Sequence, residues 1–337
     1  MKELHPQLQS WVSQDKAFTL ARVVRTWGSS PRPMGSGLII SEQLEMHGSI
    51  SGGCVEGNVA QTSLELLKSG ESRLLSYGIA NEDAWQMGLS CGGKLDVWVE
   101  PFWANTFPDI WAVWSNCIAN NRACVLVTKM ETSPTYTLIT PNGRVVGSPL
   151  SEEIIQHSLA AYKNRKHEIV AAKETAYFIQ VFPKRDRLFL IGAAHISVHL
   201  VKLAQLYDFE TIVIDPRGFF TNGTHFSTPP DRIEEAYPEE ILQQESLDAD
   251  AYAVILSHDP KIDDNALQLL LPSDVAYIGA LGSRRTHAKR IDRMKAAGFS
   301  DAQIERIHGP IGVNIHAKTA AEIALSIMAE IIQVKNS

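Results

Sequence analysis

Hydrophobic and polar positions fall into two styles along this chain. In the first hundred residues the apolar stretches are short and broken by glycine. Phe18 to Trp27 carries Phe18, Leu20 and Val23 among polar residues, Gly37 to Ser41 resumes an extended pattern, and Leu95 to Phe102 adds another strand. Between them, Val59, Ala60, Leu64, Leu66 and Leu67 give an inward stripe to a helix ending near Lys68, and Ser69-Gly70 supplies its stop. From Trp103 the pattern continues as helix (Ile110 to Asn120), strand (Ala123 to Met130) and strand (Tyr136 to Thr140). A Pro141-Asn142-Gly143 turn, a helix (Glu152 to Tyr162) and a strand (Ala176 to Phe182) follow.

The style changes after the charged run Lys184-Arg185-Asp186-Arg187, where strand and helix begin to alternate as a parallel sheet requires. Leu188 to Ile191 reads as a strand. Ile196 to Tyr207 reads as a helix with Ile196, Leu200, Leu203 and Tyr207 inward, and Thr211 to Ile214 as the next strand. Ala251 to Leu256 and Val275 to Ile278 add strands, with Leu267 to Leu271 helical between them and Thr286 to Ala297 helical afterwards. The closing helix opens on Thr319-Ala320-Ala321-Glu322, a capping-box pattern, and points Ile323, Ile327 and Ile331 inward. The expected class is α/β. An N-terminal α+β domain spans 1–187, with a connecting segment from about 103, and a doubly wound parallel-sheet domain spans 188–337.

Composition narrows the function classes. At about 150 residues per domain, 337 residues agree with two domains. Thirty-one Lys and Arg against 38 Asp and Glu leave a net charge of −7, which gives no global attraction to nucleic acid or anionic lipid. The longest apolar runs are strand-sized, whereas a bilayer span needs about 20 residues, so no membrane span is expected. The polar start, with Lys2, Glu3, His5 and Gln7, lacks the plan of a signal peptide. The expectation is a cytoplasmic protein with reduced thiols.

Two glycine turns of the C-terminal half could carry chemistry. The first is Gly192-Ala193-Ala194-His195, and Asp215 follows Gly192 by 23 positions at the end of the next strand. A dinucleotide fold places a glycine turn against a pyrophosphate and an acid about 20 positions on against a ribose. Ala194 and Ser197 stand where the second and third fingerprint glycines belong, so a turn used only for packing competes with nucleotide binding. The second turn is Gly279-Ala280-Leu281-Gly282-Ser283-Arg284-Arg285, opening a helix that also holds Lys289 and Arg290. Backbone N–H donors at a helix start and two guanidinium forks suit a phosphate. The competing reading is a solvated basic face.

Four cysteines divide evenly. Cys117 and Cys124 lie in an amphipathic helix and an apolar strand and read as core. Cys54 in Gly52-Gly53-Cys54 and Cys91 in Ser90-Cys91-Gly92-Gly93 sit in open loops, and their spacing matches no compact zinc pattern. They are candidate ligands for a soft metal centre, a sulfur atom or a cofactor thiolate. His195, His258, His308 and His316 fall at strand ends or in glycine loops, the side of an open sheet where ligands bind. The sequence has no nucleophile elbow, no His-Glu-x-x-His and no Walker lysine.

The blocks Ser51-Gly52-Gly53-Cys54-Val55-Glu56-Gly57, Ser90-Cys91-Gly92-Gly93, Ile278-Gly279-Ala280-Leu281-Gly282-Ser283-Arg284-Arg285 and Ile307-His308-Gly309-Pro310-Ile311-Gly312, in that order, resemble the XdhC/CoxI family of molybdenum-enzyme accessory proteins. The resemblance covers the chain to about residue 100 and again from about 188 to 332. It implies a Rossmann-like C-terminal domain and a part in xanthine dehydrogenase maturation. In that part the protein binds molybdenum cofactor (molybdopterin), supports its sulfuration by a cysteine desulfurase and delivers it to a xanthine dehydrogenase-type apoenzyme, with a homo-oligomer left open. The family's usual Gly-x-Gly-His appears here with Ala194 for its second glycine, and its Ile-Gly-Leu-Asp-Ile-Gly as Ile311-Gly312-Val313-Asn314-Ile315-His316.

Two functions from different classes follow. One is a non-catalytic cofactor chaperone, in which Gly279, Gly282, Ser283, Arg284 and Arg285 hold a phosphate while Cys54 or Cys91 approaches a metal. The other is an NAD(P)-dependent oxidoreductase using Gly192, His195 and Asp215. Four cysteines cannot supply the eight thiolates of two ferredoxin-type clusters, which excludes the catalytic xanthine dehydrogenase itself.

Overall fold

In Phe18–Trp27 the first seven residues are buried although Thr19 and Arg22 are polar, which marks a strand covered on both faces. The computed structural model, which describes residues 1–28, 32–78, 93–218 and 226–337, shows why. It divides into two compact units, Met1–Lys184 and Arg185–Ser337. Among the described residues no helix is long and apolar enough to cross a membrane.

The first unit opens with helix α1 (His5–Ser13), then β1 (Phe18–Trp27), β2 (Gly37–Ser41), β3 (Met46–Gly48), α2 (Glu56–Ser69), β4 (Arg73–Tyr77) and β5 (Lys94–Pro101). These strands make an antiparallel sheet ordered β3-β2-β1-β5-β4. Alternation along β1 sends Ala21 and Val23 towards α2, where they pack with Val59 and Leu66. Gly70 ends α2 in the left-handed conformation at φ +74°, donating its N–H to the Leu66 carbonyl.

The segment from 103 builds a sheet of its own. Helix α3 (Pro108–Ala119) is followed by β6 (Cys124–Lys129), β7 (Thr135–Ile139), β8 (Val145–Gly147), α4 (Glu152–Lys163), β9 (Glu168–Ala172) and β10 (Thr175–Phe182). The antiparallel order is β8-β7-β6-β10-β9. Arg22 joins this sheet to the first. Its Nη2 donates to Glu100 Oε1 at 2.7 Å and Thr128 Oγ1 at 2.9 Å, and its Nη1 to Gln180. Trp98 and Tyr136 donate to the other Glu100 oxygen. Burial pushes the Glu100 carboxyl up, and Arg22 with these donors opposes it.

The second unit contains β11 (Asp186–Ile191), α5 (His195–Leu206), β12 (Phe209–Ile214), β13 (Arg232–Glu234), α6 (Pro238–Leu242), β14 (Ala251–Ile255), α7 (Pro260–Leu270), β15 (Tyr277–Ala280), α8 (Arg284–Ala296), α9 (Asp301–Ile304), β16 (Ile307–His308) and α10 (Ala320–Lys335). Its strands pair in parallel in the order β13-β12-β11-β14-β15-β16. Numbered from β11, this is the doubly wound order 3-2-1-4-5-6, whose reversal between β11 and β14 opens a crevice at their carboxyl ends. Helices α6, α7 and α8 cover one face, and α5 and α10 the other.

Two sequence expectations shift. The inward face of α5 is centred on Ser197, Leu200, Val201 and Ala204; of the expected stripe Leu200 is buried and Ile196 and Leu203 pack at its edge, whereas Tyr207 is 46% exposed. Small Ser197 and Ala204 allow the helix a close approach that the bulkier stripe would block. The first parallel strand also starts two residues early. Asp186 and Arg187 are buried strand residues, paired with Lys335 and Asp248 respectively, so their charges read as a linker in sequence.

Candidate functional site

The cysteine loop of the first unit is organised by an acid. Gly52 and Gly53 take φ +78° and +116°, conformations that favour glycine, and turn their chain around the Glu56 side chain at the start of α2. Glu56 Oε1 accepts from Ser49 Oγ at 3.0 Å, Ile50 N–H at 3.2 Å and Ser51 N–H at 3.0 Å. Its Oε2 accepts from Ser51 Oγ, Gly53 N–H and Val55 N–H. Burial works against the charge, but the donors from Ser51 and Ser49 hold the carboxyl down to about 2. The Gly52 and Gly53 amides are therefore committed to Ser49 and Glu56, and the Cys54 thiol sits half-buried beside them. Cys91, the other expected thiol, lies outside the described residues with Gly92, while Gly93 precedes β5. Among the described residues no group of three or more His, Cys, Asp or Glu is placed to hold a metal ion.

In the second unit, the first glycine turn is satisfied from within. Gly192, at φ +112°, lies so close to β14 that an added Cβ would meet the Ser257 backbone N at 2.8 Å. Asp215 is fully buried, and its Oδ2 accepts the Ala193 N–H at 2.8 Å and Arg217 Nη2 at 2.7 Å. Its Oδ1 accepts the Arg217 N–H and Nε, both at 2.9 Å. Burial opposes ionisation, yet Arg217 and the Ala193 amide hold Asp215 below the usual carboxylate range. A ribose diol would have to displace Arg217 from these oxygens. His195 begins α5 on the surface, its ring 5.3 Å from that of His199.

The second turn is arranged in the opposite way. Gly279 sits in β15, where an added Cβ would meet Ile311 Cδ1 at 2.4 Å, so packing requires glycine there. Gly282 takes φ +146° and brings the chain to Ser283, whose Oγ caps α8 by accepting the Thr286 N–H. Arg284 and Arg285, the first two residues of α8, are exposed and make no hydrogen bond or ion pair with the described residues. Arg290, expected on the same basic face, is instead buried beneath the turn. Its Nη2 donates to Leu281 O at 2.9 Å and Asp263 Oδ2 at 3.2 Å. The other Asp263 oxygen accepts Ser257 Oγ at 2.6 Å. Arg290 was drawn inward because Asp263 on α7 offers it a buried partner.

Three loops thus meet at the carboxyl edge of the sheet. Ser257 touches the first turn through Gly192 and the second through Asp263 and Arg290. The loop after β16 joins them, with Ile311 N–H on Ala280 O at 3.3 Å and Gly309 against His287 of α8. His308 lies 3.6 Å from Glu330, which also accepts from Tyr277 OH and the Gly312 N–H. His258, at φ +61°, and Asp259 sit beside Ser257, whereas His316 stays on the surface with its N–H on Asn314. Sequence reasoning missed Glu56, Asp263 and Glu330. Only Glu56, inside a glycine and serine block, carried a local signal.

Two family descriptions match the chain. One, the XdhC Rossmann domain, covers residues 188–331, and the other, the XdhC and CoxI family, covers residues 11–78. The chain belongs to the XdhC/CoxI family. Its relatives include a probable xanthine dehydrogenase subunit of Bacillus subtilis, 29% identical over 99% of this chain and 98% of that protein. The molybdenum cofactor insertion chaperone PaoD of Escherichia coli is 22% identical over 95% of this chain and 84% of its own length. The crystal structure of a xanthine dehydrogenase from Bacillus halodurans superposes with a TM-score of 0.80, covering 98% of this chain and 95% of that one at 24% identity, a likeness of fold.

Proposed function

We propose that this protein is an accessory factor for a xanthine dehydrogenase-type molybdoenzyme, binding molybdenum cofactor, supporting its sulfuration by a cysteine desulfurase and delivering it to the apoenzyme. The observation that carries the reading is the pair Arg284 and Arg285, exposed and unpartnered among the described residues at the start of a helix, on a turn opened by Gly282. Such a place holds phosphate oxygens by guanidinium forks and a helix N-terminus. The donor capacity left beneath it fits an anion, since Arg290 Nε and Nη1 are buried without a hydrogen-bond partner among the described residues. The names of two relatives, one a molybdenum cofactor insertion chaperone and the other a probable xanthine dehydrogenase subunit, support the same reading.

When bound, the cofactor would supply the phosphate that the arginines hold and a soft metal centre suited to thiolate chemistry. Within the second unit, Gly282 and Ser283 set the direction of α8, and Arg284 and Arg285 bind and orient the anion. Within the first unit, Glu56 fixes the loop that presents Cys54, and Cys91 is its proposed companion. The test is to purify the protein from a host that makes the cofactor and to assay bound molybdenum and pterin fluorescence beside an NAD(P)H titration. The reading expects both molybdenum and pterin with no saturable nicotinamide binding. Saturable NAD(P)H binding without pterin would replace it with the oxidoreductase reading.

A further inference from the structure

The start of α5 carries two histidines that the proposed function does not use. Burial of Ser197, Leu200, Val201 and Ala204 turns the opposite side of the helix outward, and that side holds His195 in the first turn and His199 one turn further on. Positions four apart on a helix are neighbours on its surface. His195 is exposed and His199 half-buried, and their ring centres lie 5.3 Å apart with the planes at 84°. Neither imidazole makes a hydrogen bond or ion pair with the described residues, so the ring nitrogens are uncommitted.

The surrounding charge decides what such a pair can hold. A helix start carries partial positive charge, and Lys202 is exposed one turn after His199. Both oppose a hard cation held by charge, such as magnesium or calcium, which also demands oxygen ligands. An ion held through nitrogen lone pairs is a different case, because imidazole suits zinc and its neighbours in the transition series.

We infer that His195 and His199 form an open two-histidine site for zinc or a similar borderline divalent transition ion. Two imidazoles on one tetrahedral ion, with metal–nitrogen distances of about 2.0–2.1 Å, hold their ring centres about 5 Å apart. The observed separation of 5.3 Å matches that, so chelation needs side-chain rotation and no movement of the helix. Two histidines at this spacing on one helix face are also the nitrogen ligands of the His-x-x-x-His zinc arrangement. Among the described residues no third His, Cys, Asp or Glu completes a metal-holding group, so the other coordination positions fall to water or to a donor from another molecule. The site uses α5 alone and is independent of the arginines of the second turn and of the cysteine loop.

The test is calorimetric titration of zinc into the full chain, stripped of metal by a chelator, at about pH 7.5, where an ordinary imidazole is neutral. Wild type should bind zinc, and excess magnesium should not compete. His195→Ala and His199→Ala should each weaken binding about tenfold or more, because the second ligand of a pair acts at high effective concentration. His316→Ala, on the surface elsewhere in the unit, should leave it unchanged. Absence of zinc binding, or equal affinity in wild type and the folded double variant, overturns the inference. Binding that survives the double variant and is lost in Cys54→Ser gives the ion to the cysteine loop and overturns it as well. If an alanine variant does not fold by circular dichroism, His199→Gln, which stays polar but offers no imidazole nitrogen, takes its place with the same expected loss.

Discussion

The two glycine turns of the second unit begin alike in sequence and differ in where their charges go. At the first, Asp215 brings an anion from inside the chain, taking the Ala193 N–H and the Arg217 guanidinium. At the second, the internal acid Asp263 pairs with the buried Arg290 and accepts from Ser257, and Arg284 and Arg285 remain exposed without partners among the described residues. One doubly wound sheet can therefore close one strand-end turn on its own carboxylate and leave the next for an anion from outside. Glycine spacing alone does not distinguish these states. The destination of the nearest acids and arginines does.

Removing the support of the second turn should have the largest effect. Arg290→Ala leaves Asp263 as a buried carboxylate without its cation, and breaking a buried pair in this way costs about 3–5 kcal/mol. Denaturant unfolding should show that loss in the second unit, and a loss under about 1 kcal/mol would mean that the pair carries little of the turn's stability.

The first turn offers the matching experiment. Asp215→Ala strips the acceptor from the buried Ala193 N–H and from Arg217, at a cost of about 1–3 kcal/mol for the unsatisfied amide. Molybdopterin binding should be unchanged, because a free pterin cofactor has no ribose to need this acid. Weakened binding in the folded variant would place the ligand at the first turn and erase the contrast between the two.

How much of this was legible in the sequence follows the range of the interactions concerned. The Thr319 and Glu322 capping box at the start of α10 and the Gly70 stop of α2 are local, and both appear as read. The parallel alternation in the second unit was also clear, because buried strands make short apolar runs. Helix α1 was missed, since its buried residues Leu8 and Trp11 are sparse among polar neighbours. The phase of α5 depended on which face small residues could bring against the sheet. Arg290 read as part of a basic surface because its partner Asp263 is 27 positions away, beyond any local pattern. Glu56 was passed over for the cysteine beside it, although an acid among glycines and serines has many backbone donors within reach.

A third carboxylate sharpens the comparison from the first unit. Glu56, like Asp215, satisfies backbone donors from within, and its pKa falls from an ordinary 4.5 to about 2. A depressed folded-state pKa contributes stability that is fully present above 4.5 and lost as pH falls towards 2. For this half-buried group, solvent screening limits the contribution to about 1–2 kcal/mol. Unfolding of wild type and Glu56→Gln should differ by that amount at pH 7 and converge near pH 2. A constant gap across that window would show that packing, rather than ionisation, fixes the loop.

The smallest expected effect concerns the thiol on that loop. Cys54→Ser keeps the Glu56 hydrogen bonds and should lower cofactor retention by about tenfold, equivalent to about 1.4 kcal/mol, with no change in melting temperature. Cys117→Ser should change stability and leave retention alone. Molybdenum content after gel filtration checks both, and equal retention by the two variants would remove Cys54 from the account.

The central claim is that the second turn takes its anion from outside the chain. Equilibrium dialysis of molybdopterin against wild type and Arg284→Ala, Arg285→Ala tests it most directly. Each charge-assisted hydrogen bond to phosphate contributes about 1.5–3 kcal/mol, so the double variant should bind about a hundredfold or more weakly while its unfolding curve is unchanged. Equal affinity in the two proteins would make these arginines a solvated helix face and contradict the account.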